Sequence, residues 1–515
     1  MASRQDKWFR LAVAALLCIG VYLRVNRYWQ GFSFWGDEAW VACNMASRSF
    51  VDILLNRDLS VSLPSPAPGF VLIGNIMVTL WSISELVFRA FPCWCGVMVV
   101  FAFRKLLSDT VSRSVLLTGL AFMVFSDMPI YYASELKQYS SDMLVVLVIY
   151  VLHLRAVRGA LQRRDVMLLE LAGLAGMFIS LPTILTLAGV SVVQLAVYWQ
   201  SGERALFKKY LWIGGVWLAF FAGMWVNYYQ VNYVSDVSRY YIPYYLYLPS
   251  QVGWGVWLGK ILDIFRSPVG LTWPWLAALL FAAGGWSFWR RDKTTTLLLV
   301  APLVLTIGLS MAGKYPWQGR FILFLLPALL VFIAQGVGWL LEAGGIRRLA
   351  GLLVLCILLA QPVAEAGRKY LVPVAETDVR SLMAYISEHY QPGDGIYLGN
   401  ETCWSFDFYR VVFGLEALQP KAVLFEHPSS VDRPGQLFCI VNYASRHIAS
   451  VYAWDRVVDS KGYVFRMPRG GRAWILLSQV VSNREKAFLD CFDTFGVRLD
   501  HKRSQGASLY LYNLK

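Results

Sequence analysis

Charge is scarce in this chain of 515 residues, where only 16% of positions are Asp, Glu, Lys or Arg. Histidine is scarcer, with five copies, and the eight cysteines form no CxxC pair and no ligand spacing with a histidine. That poverty argues against a zinc or haem site, and so little charge excludes an ordinary soluble domain of this length. Internal repeats and low-complexity segments are lacking too. Apolar residues take their place, at 57% of the chain and a mean hydropathy of +0.49. The apolar runs are long enough to cross a hydrocarbon core of about 30 Å, which takes about 20 helical residues. The 21 Trp and 27 Tyr suit a chain with two membrane interfaces, where amphipathic rings collect.

The net charge of +14 does not point to nucleic acid. Nearly all of the basic excess lies in residues 1–364, in short loops between apolar runs, and the tail from 365 onward is close to neutral. Eleven membrane helices are expected, near 8–24, 87–104, 112–129, 140–155, 166–181, 183–200, 208–230, 269–289, 294–312, 320–342 and 347–364. Arg and Lys follow alternate helix ends, which sets those ends and the N-terminus on the cytoplasmic side and the tail outside. The first run, Trp8 to Leu23, lacks a small-residue cleavage site and is expected to stay as an anchor. Cys18, Cys93, Cys95 and Cys356 fall in apolar helices and read as small core residues.

Two regions lie outside this pattern. Residues 25–86 form a long first outer loop, with the stretches AWVACNMASRSFVDILL and GFVLIGNIMVTLW separated by the breaker run SLPSPAPG; both are expected to lie along the interface. A second outer loop, about 231–268, carries RYYIPYYLYLP. Residues 365–515 read as a small water-soluble α/β domain: a helix over 376–390, strands at GIYLG, KAVLFE and GRAWILLSQV, a following helix, and a closing hairpin. Cys403, Cys439 and Cys491 lie there, where one disulfide would leave one thiol over.

Three segments carry chemistry. In FSFWGDEAW, Asp37 and Glu38 follow the first helix in an apolar, aromatic setting; they fit a catalytic base of raised pKa or an acid pair at a helix N-terminus. In YYASELKQYSSD, Tyr131 to Asp142, the turn gathers Tyr132, Glu135, Lys137 and Tyr139. Lys137 fits a lipid phosphate, and equally an internal pair with Glu135. In GKYPWQGRFILFLLP, Lys314, Tyr315 and Arg320 sit at the outer end of a late helix, where cations are unusual; they fit an anionic partner or snorkelling to headgroups. Arg239, Lys260 and Arg266 are further outer cations. Glu170 and Gln194, inside apolar helices, read as helix–helix contacts.

Taken in order, the three segments resemble the GT-C-type membrane glycosyltransferases. The nearest branch is the bacterial relatives of the protein O-mannosyltransferases and aminoarabinose transferases, including the RgtA/B/C/D-like group. GDEAW matches the acidic motif of the first loop, YYASELKQY the Tyr-Tyr-x-x-Glu-x-[Arg/Lys]-x-Tyr turn, and YPWQGRF the Tyr-Pro-x-x-x-Arg entry to a late helix. LPSPAPGF departs from the pattern, lacking the histidine of a His-Pro-Pro-like stretch. The resemblance implies a polytopic helical fold of about eleven transmembrane helices (1–364) with an extracytoplasmic α/β domain (365–515), in a cell inner membrane. It implies transfer of a sugar, with inversion, from a polyprenyl-phosphate carrier to a hydroxyl on a glycan, lipid or protein acceptor. Asp37 would be the general base, with Glu38 as support or substrate contact. Lys137 and Arg320 would hold the leaving phosphate, helped by Tyr132, Glu135, Tyr139, Lys314 and Tyr315. No cofactor is obligatory in this branch and no metal cluster is evident, with a divalent ion left open. A transporter or flippase of a lipid-linked substrate, or a non-catalytic subunit of an envelope polysaccharide complex, are the alternatives.

Overall fold

The structure is a computed structural model and describes residues 2–55, 66–159, 163–229, 241–418, 420–426, 438–442, 471–479 and 482–515. Arg239 and the first half of SLPSPAPG lie outside the described residues. Eight helices are long and apolar enough to cross a membrane: Arg4–Trp29, Glu85–Thr110, Tyr139–Arg158, Thr183–Gln200, Arg204–Tyr229, Lys293–Met311, Gly319–Glu342 and Gly345–Tyr370. A ninth candidate is the pair Arg113–Phe125 and Asp127–Ser134, bent by 58°. The other two expected spans are also helical. Arg163–Ile179 has 17 residues, and Pro274–Arg291 has 18 but ends on Arg290 and Arg291. A count of eleven spans is therefore not reached on length and composition.

The elements are named in chain order. They begin with α1 (Ala2–Trp29), α2 (Gly36–Ser47), α3 (Phe50–Leu54), α4 (Pro68–Leu80) and α5 (Glu85–Thr110). Next come α6 (Arg113–Phe125), α7 (Asp127–Tyr131), α8 (Tyr139–Arg158), α9 (Arg163–Ile179), α10 (Thr183–Gln200) and α11 (Arg204–Met224). After a short helix α12 (Trp254–Asp263) follow α13 (Pro274–Arg291), α14 (Lys293–Met311), α15 (Leu326–Glu342) and α16 (Gly345–Tyr370). The hydrogen-bonding rules of helix ends explain several boundaries. Ser84 caps α5 by accepting from Val87 N–H at 3.4 Å. Pro68 opens α4 at a position where its missing N–H costs nothing, and Pro182 separates α9 from α10.

Helix α15 is the axis of the membrane part, with residues Leu326 to Gly338 all buried. Helix α13 lies against it at backbone distance. A Cβ on Gly284 would stand 1.9 Å from Phe332 O, and one on Gly336 would stand 2.2 Å from Leu280 O. Small residues at such a crossing let two helices approach closely enough for dispersion to hold them where lipid offers no hydrophobic drive. Cys93 and Cys95 are buried as expected, but Cys18 and Cys356 face outward from their helices.

The tail holds α17 (Arg380–His389), α18 (Cys403–Val412), α19 (Ser482–Phe495) and a six-stranded sheet ordered β3-β2-β1-β4-β6-β5. Its strands are β1 (Gly395–Gly399), β2 (Pro420–Glu426), β3 (Phe438–Asn442), β4 (Gly471–Ser478), β5 (Gly496–Ser504) and β6 (Ala507–Leu514). Strand β1 runs parallel to β2 and β4, the pairing expected of strands buried on both faces, and all five of its residues are buried. Alternation sorts the two faces. Tyr397, Ile475, Tyr510 and Tyr512 meet Phe488 and Phe492 of α19. Ile396, Leu398, Trp474, Leu476 and Leu509 share a core with α17, α18 and α2.

That second core corrects one expectation. Helix α2 does not rest on a lipid interface: Ala39, Trp40, Val41, Ala42 and Met45 are enclosed by protein, because the tail offers its apolar side chains on one flank and α5 offers Phe88 on the other. Helix α3 and the end of α4 do carry bare apolar groups, among them Phe50, Val51, Leu80 and Trp81. Cys403 is a free thiol, and the side chains of Cys439 and Cys491 lie outside those described.

Candidate active site

Helix α1 ends at Trp29, and an extended segment leads to α2, whose first turn holds Asp37 and Glu38. Successive residues on a helix diverge by about 100°, so the two carboxylates face opposite ways. Glu38 points inward and is fully buried. Arg89 of α5 grips it in a fork, Nε donating to Oε1 at 2.9 Å and NH2 to Oε2 at 2.5 Å, and Leu136 N–H donates to Oε1 at 2.5 Å. Asp37 points outward with its side chain 36% exposed. Its Oδ2 lies 3.4 Å from Lys137 Nζ and 3.7 Å from Arg320 NH1.

The turn between α7 and α8 sorts its charges in the same way. Glu135 faces inward, accepting from Arg27 NH2 at 3.2 Å and from Trp35 Nε1 at 3.0 Å. Burial, and then the neighbouring Glu38, push its carboxyl up to about 8, against the pull of Arg89 and Arg27. Two residues on, Lys137 faces outward, donating to Asp37 O at 3.2 Å with its ammonium 5.5 Å from the Trp35 ring centre. Burial lowers the Lys137 pKa; Asp37 opposes that shift and Arg320 adds to it.

Arg320 enters from a third element, the 3₁₀ turn Gly319–Leu325 that leads into α15. Its charge bears on Tyr132, whose ring meets Tyr139 edge-on at 4.7 Å. Tyr315 braces that turn from within, its hydroxyl donating to Phe321 O at 2.8 Å and its ring lying 6.1 Å from Phe324.

Three segments far apart in the chain thus bring Asp37, Lys137, Arg320, Tyr132 and Tyr139 to one place. Glu38 is instead enclosed, with both its oxygens taken by Arg89 and Leu136. Glu135, expected at the donor site, is buried and paired with Arg27 and Trp35. Lys314 is exposed, and no ion pair of its side chain occurs among the described residues. Lys260 is taken up by the carbonyls of Pro243 at 3.0 Å and Tyr245 at 2.6 Å. Arg27, Trp35 and Arg89 hold the site together, and sequence reasoning missed them. The one available signal was Arg27, a charge at the end of the apolar helix α1. Among the described residues no group of three or more His, Cys, Asp or Glu could hold a metal ion.

No protein-family model matches the chain, and no curated protein sequence does. Solved structures do. ArnT from Cupriavidus metallidurans bound to undecaprenyl phosphate superposes with a TM-score of 0.55 at 11% identity, over 98% of this chain and 98% of that one. Its apo form gives 0.54 at 10% identity, over 99% and 98%. The fold is that of the GT-C membrane glycosyltransferases. Another GT-C structure, the Archaeoglobus fulgidus oligosaccharyltransferase tethered to an acceptor peptide, matches with a TM-score of 0.50 at 10% identity, over 80% of this chain and 64% of that one. The chain spans 61–64% of the length of that archaeal enzyme. At such identities the GT-C likeness is one of architecture, from the first membrane helix to the small C-terminal sheet.

Proposed function

We propose that the chain is an inverting glycosyltransferase that moves a sugar from a polyprenyl-phosphate carrier to a hydroxyl acceptor at the outer face of a cell inner membrane. The observation that carries this reading is a half-exposed carboxylate, Asp37, held between two cations, 3.4 Å from Lys137 and 3.7 Å from Arg320. Without donor, Asp37 serves as counter-ion to both. A donor phosphate would replace it there and leave its oxygens free to take the proton of an acceptor hydroxyl.

The acceptor oxygen attacks the anomeric carbon from the face opposite the phosphate. The bond from that carbon to the phosphate oxygen breaks, and its electron pair leaves with the phosphate. The acceptor's proton goes to Asp37, and the anomeric centre inverts, as in single-displacement glycosidases. Lys137 and Arg320 meet the charge that grows on the leaving phosphate, which lowers the barrier without a general acid. Tyr132 and Tyr139 flank Arg320, Tyr315 braces its turn, and exposed Lys314 would meet headgroups on the approach. Basic residues at alternate helix ends support a cytoplasmic N-terminus and an outer tail, with residues 1–364 as the transferase part and 365–515 as the second domain. An ArnT fold bound to undecaprenyl phosphate supports a lipid-linked donor.

The test is turnover of a panel of polyprenyl-phosphate sugars by purified protein, with a crude membrane fraction as acceptor. Wild type should turn over one donor, and Asp37→Asn should lose about 10²–10⁴ of the rate, the usual share of a general base. Equal rates in the two proteins would remove Asp37 from the centre, and no turnover of any donor would sink the transferase reading.

A further inference from the structure

We propose that the C-terminal domain is a working part of the catalytic centre, with Tyr409 as a positioning residue that sets the segment carrying Asp37. This rests on the reading of Asp37 as the base. Tyr409 lies on α18 and is fully buried. Its hydroxyl accepts from Phe34 N–H at 2.8 Å and donates to Glu85 Oε1, also at 2.8 Å, so it ties the segment before Asp37 to the first turn of α5. The same Glu85 oxygen takes Arg380 NH1 at 3.0 Å, and that NH1 also donates to Gly31 O at 3.0 Å.

Further bonds from the tail land on the same short stretch. Ser33 Oγ accepts from the N–H groups of Val379 and Arg380, each at 3.2 Å, and Ser405 Oγ donates to Phe34 O at 3.2 Å. The Phe34 ring is enclosed by Phe88 at 5.8 Å and Phe408 at 5.1 Å. At Gly36 the tail backbone sits directly on the start of α2: a Cβ there would lie 2.7 Å from Glu401 O.

Apolar burial alone would bind the tail to the membrane part, but it is non-directional. Hydrogen bonds aimed at the backbone of residues 31–34 instead fix where α2 begins. Asp37 is in the first turn of that helix, and its distances to Lys137 and Arg320 follow from it. Lys137 and Arg320 are carried by other elements, and Lys137 touches this segment through its bond to Asp37 O at 3.2 Å, so a slack Tyr409 tie would move the base relative to the phosphate cations. A misplacement of about 1 Å in a reacting group costs on the order of 10²-fold in rate.

The test uses the full-length protein with Tyr409→Phe, which keeps the ring and removes the hydroxyl. The kcat should fall by about 10- to 100-fold, the acid limb of its pH profile should move, and the inhibition constant of bare polyprenyl phosphate should stay at the wild-type value. Ser405→Ala, which removes one bond to Phe34, should give a smaller fall of the same pattern and serves if Tyr409→Phe does not fold. A wild-type kcat in both variants overturns the proposal, as does a kcat loss matched by an equal weakening of polyprenyl phosphate. Asp37→Asn run alongside separates the two readings. If it is as active as wild type, the base assignment falls and this proposal with it. If it is inactive while Tyr409→Phe keeps the wild-type kcat, the base stands and the positioning role falls.

Discussion

Asp37 and Glu38 are neighbours of nearly equal chemistry, and one helical step gives them different work. Glu38 is an uncompensated charge without Arg89, since both are buried and gripped in a fork. Removing one partner of such a pair costs about 3–5 kcal/mol, so Glu38→Ala should lower the thermal midpoint sharply in detergent while Asp37→Asn melts near wild type. A Glu38→Ala protein as stable as wild type would refute the supporting role. Lys137 makes a second prediction through its lowered pKa. Only the protonated amine attracts phosphate, so donor affinity should fall as pH rises through a value below that of ordinary lysine. Lys137→Arg, whose guanidinium stays charged, should remove that alkaline loss even if it binds more weakly at neutral pH. Donor KM measured from pH 7 upward for both proteins checks this. That Asp37, Lys137 and Arg320 merit attention was legible in the sequence, because each places a charge beside long apolar runs, and the structure brings the three together. Arg89 was not, since SELVFRAFP reads as an ordinary helix start and its partner is 51 residues away.

Among the described residues, glycines at the α13–α15 crossing mark a helix contact at backbone distance. Gly336→Ala would push a methyl into Leu280 O and force the helices apart, so the folded yield in detergent should drop severely. Gly214→Ala on α11, where no atom beyond the helix's own neighbouring backbone lies within 4 Å of the added carbon, should be neutral or raise stability by about 0.5–1 kcal/mol from helix propensity alone. Size-exclusion profiles of the two variants give the comparison, and similar profiles would contradict the packing argument. Most helices were legible because about 20 apolar residues are needed to cross a bilayer. The bend at Ser126 has a local cause, since Pro129 has no N–H for the carbonyl of Phe125 and its ring crowds that carbonyl. The partners that hold it are distant and were not legible, Ser126 Oγ donating to Val269 O at 3.3 Å and Asp127 accepting from Lys369 at 3.0 Å and Tyr370 at 2.7 Å.

For the molecule as a whole, a ligand that binds only the folded state stabilises it by mass action, by about 2.7 kcal/mol at a hundredfold excess over Kd. Bare polyprenyl phosphate should therefore raise the thermal midpoint of wild type. Lys137→Ala and Arg320→Ala should lose that increment, and Asp37→Asn should keep it, since its carboxylate competes for the same cations. A uniform shift in all four proteins would mean that the lipid acts as bulk solvent. The tail's α/β character was legible in its alternating strands and closing hairpin, whereas its seat on α2 was not. Local pattern cannot report a hydrogen bond between residues 375 positions apart, such as Phe34 with Tyr409. That separation also orders events in time. Ribosomes add roughly 5–20 residues per second, so the segment before Asp37 waits on the order of 20–75 s for Tyr409 to be made. A chain that stops before Tyr409 lacks the bonds that the tail makes to residues 31–34, so the last third of the message acts as a quality check on the first tenth.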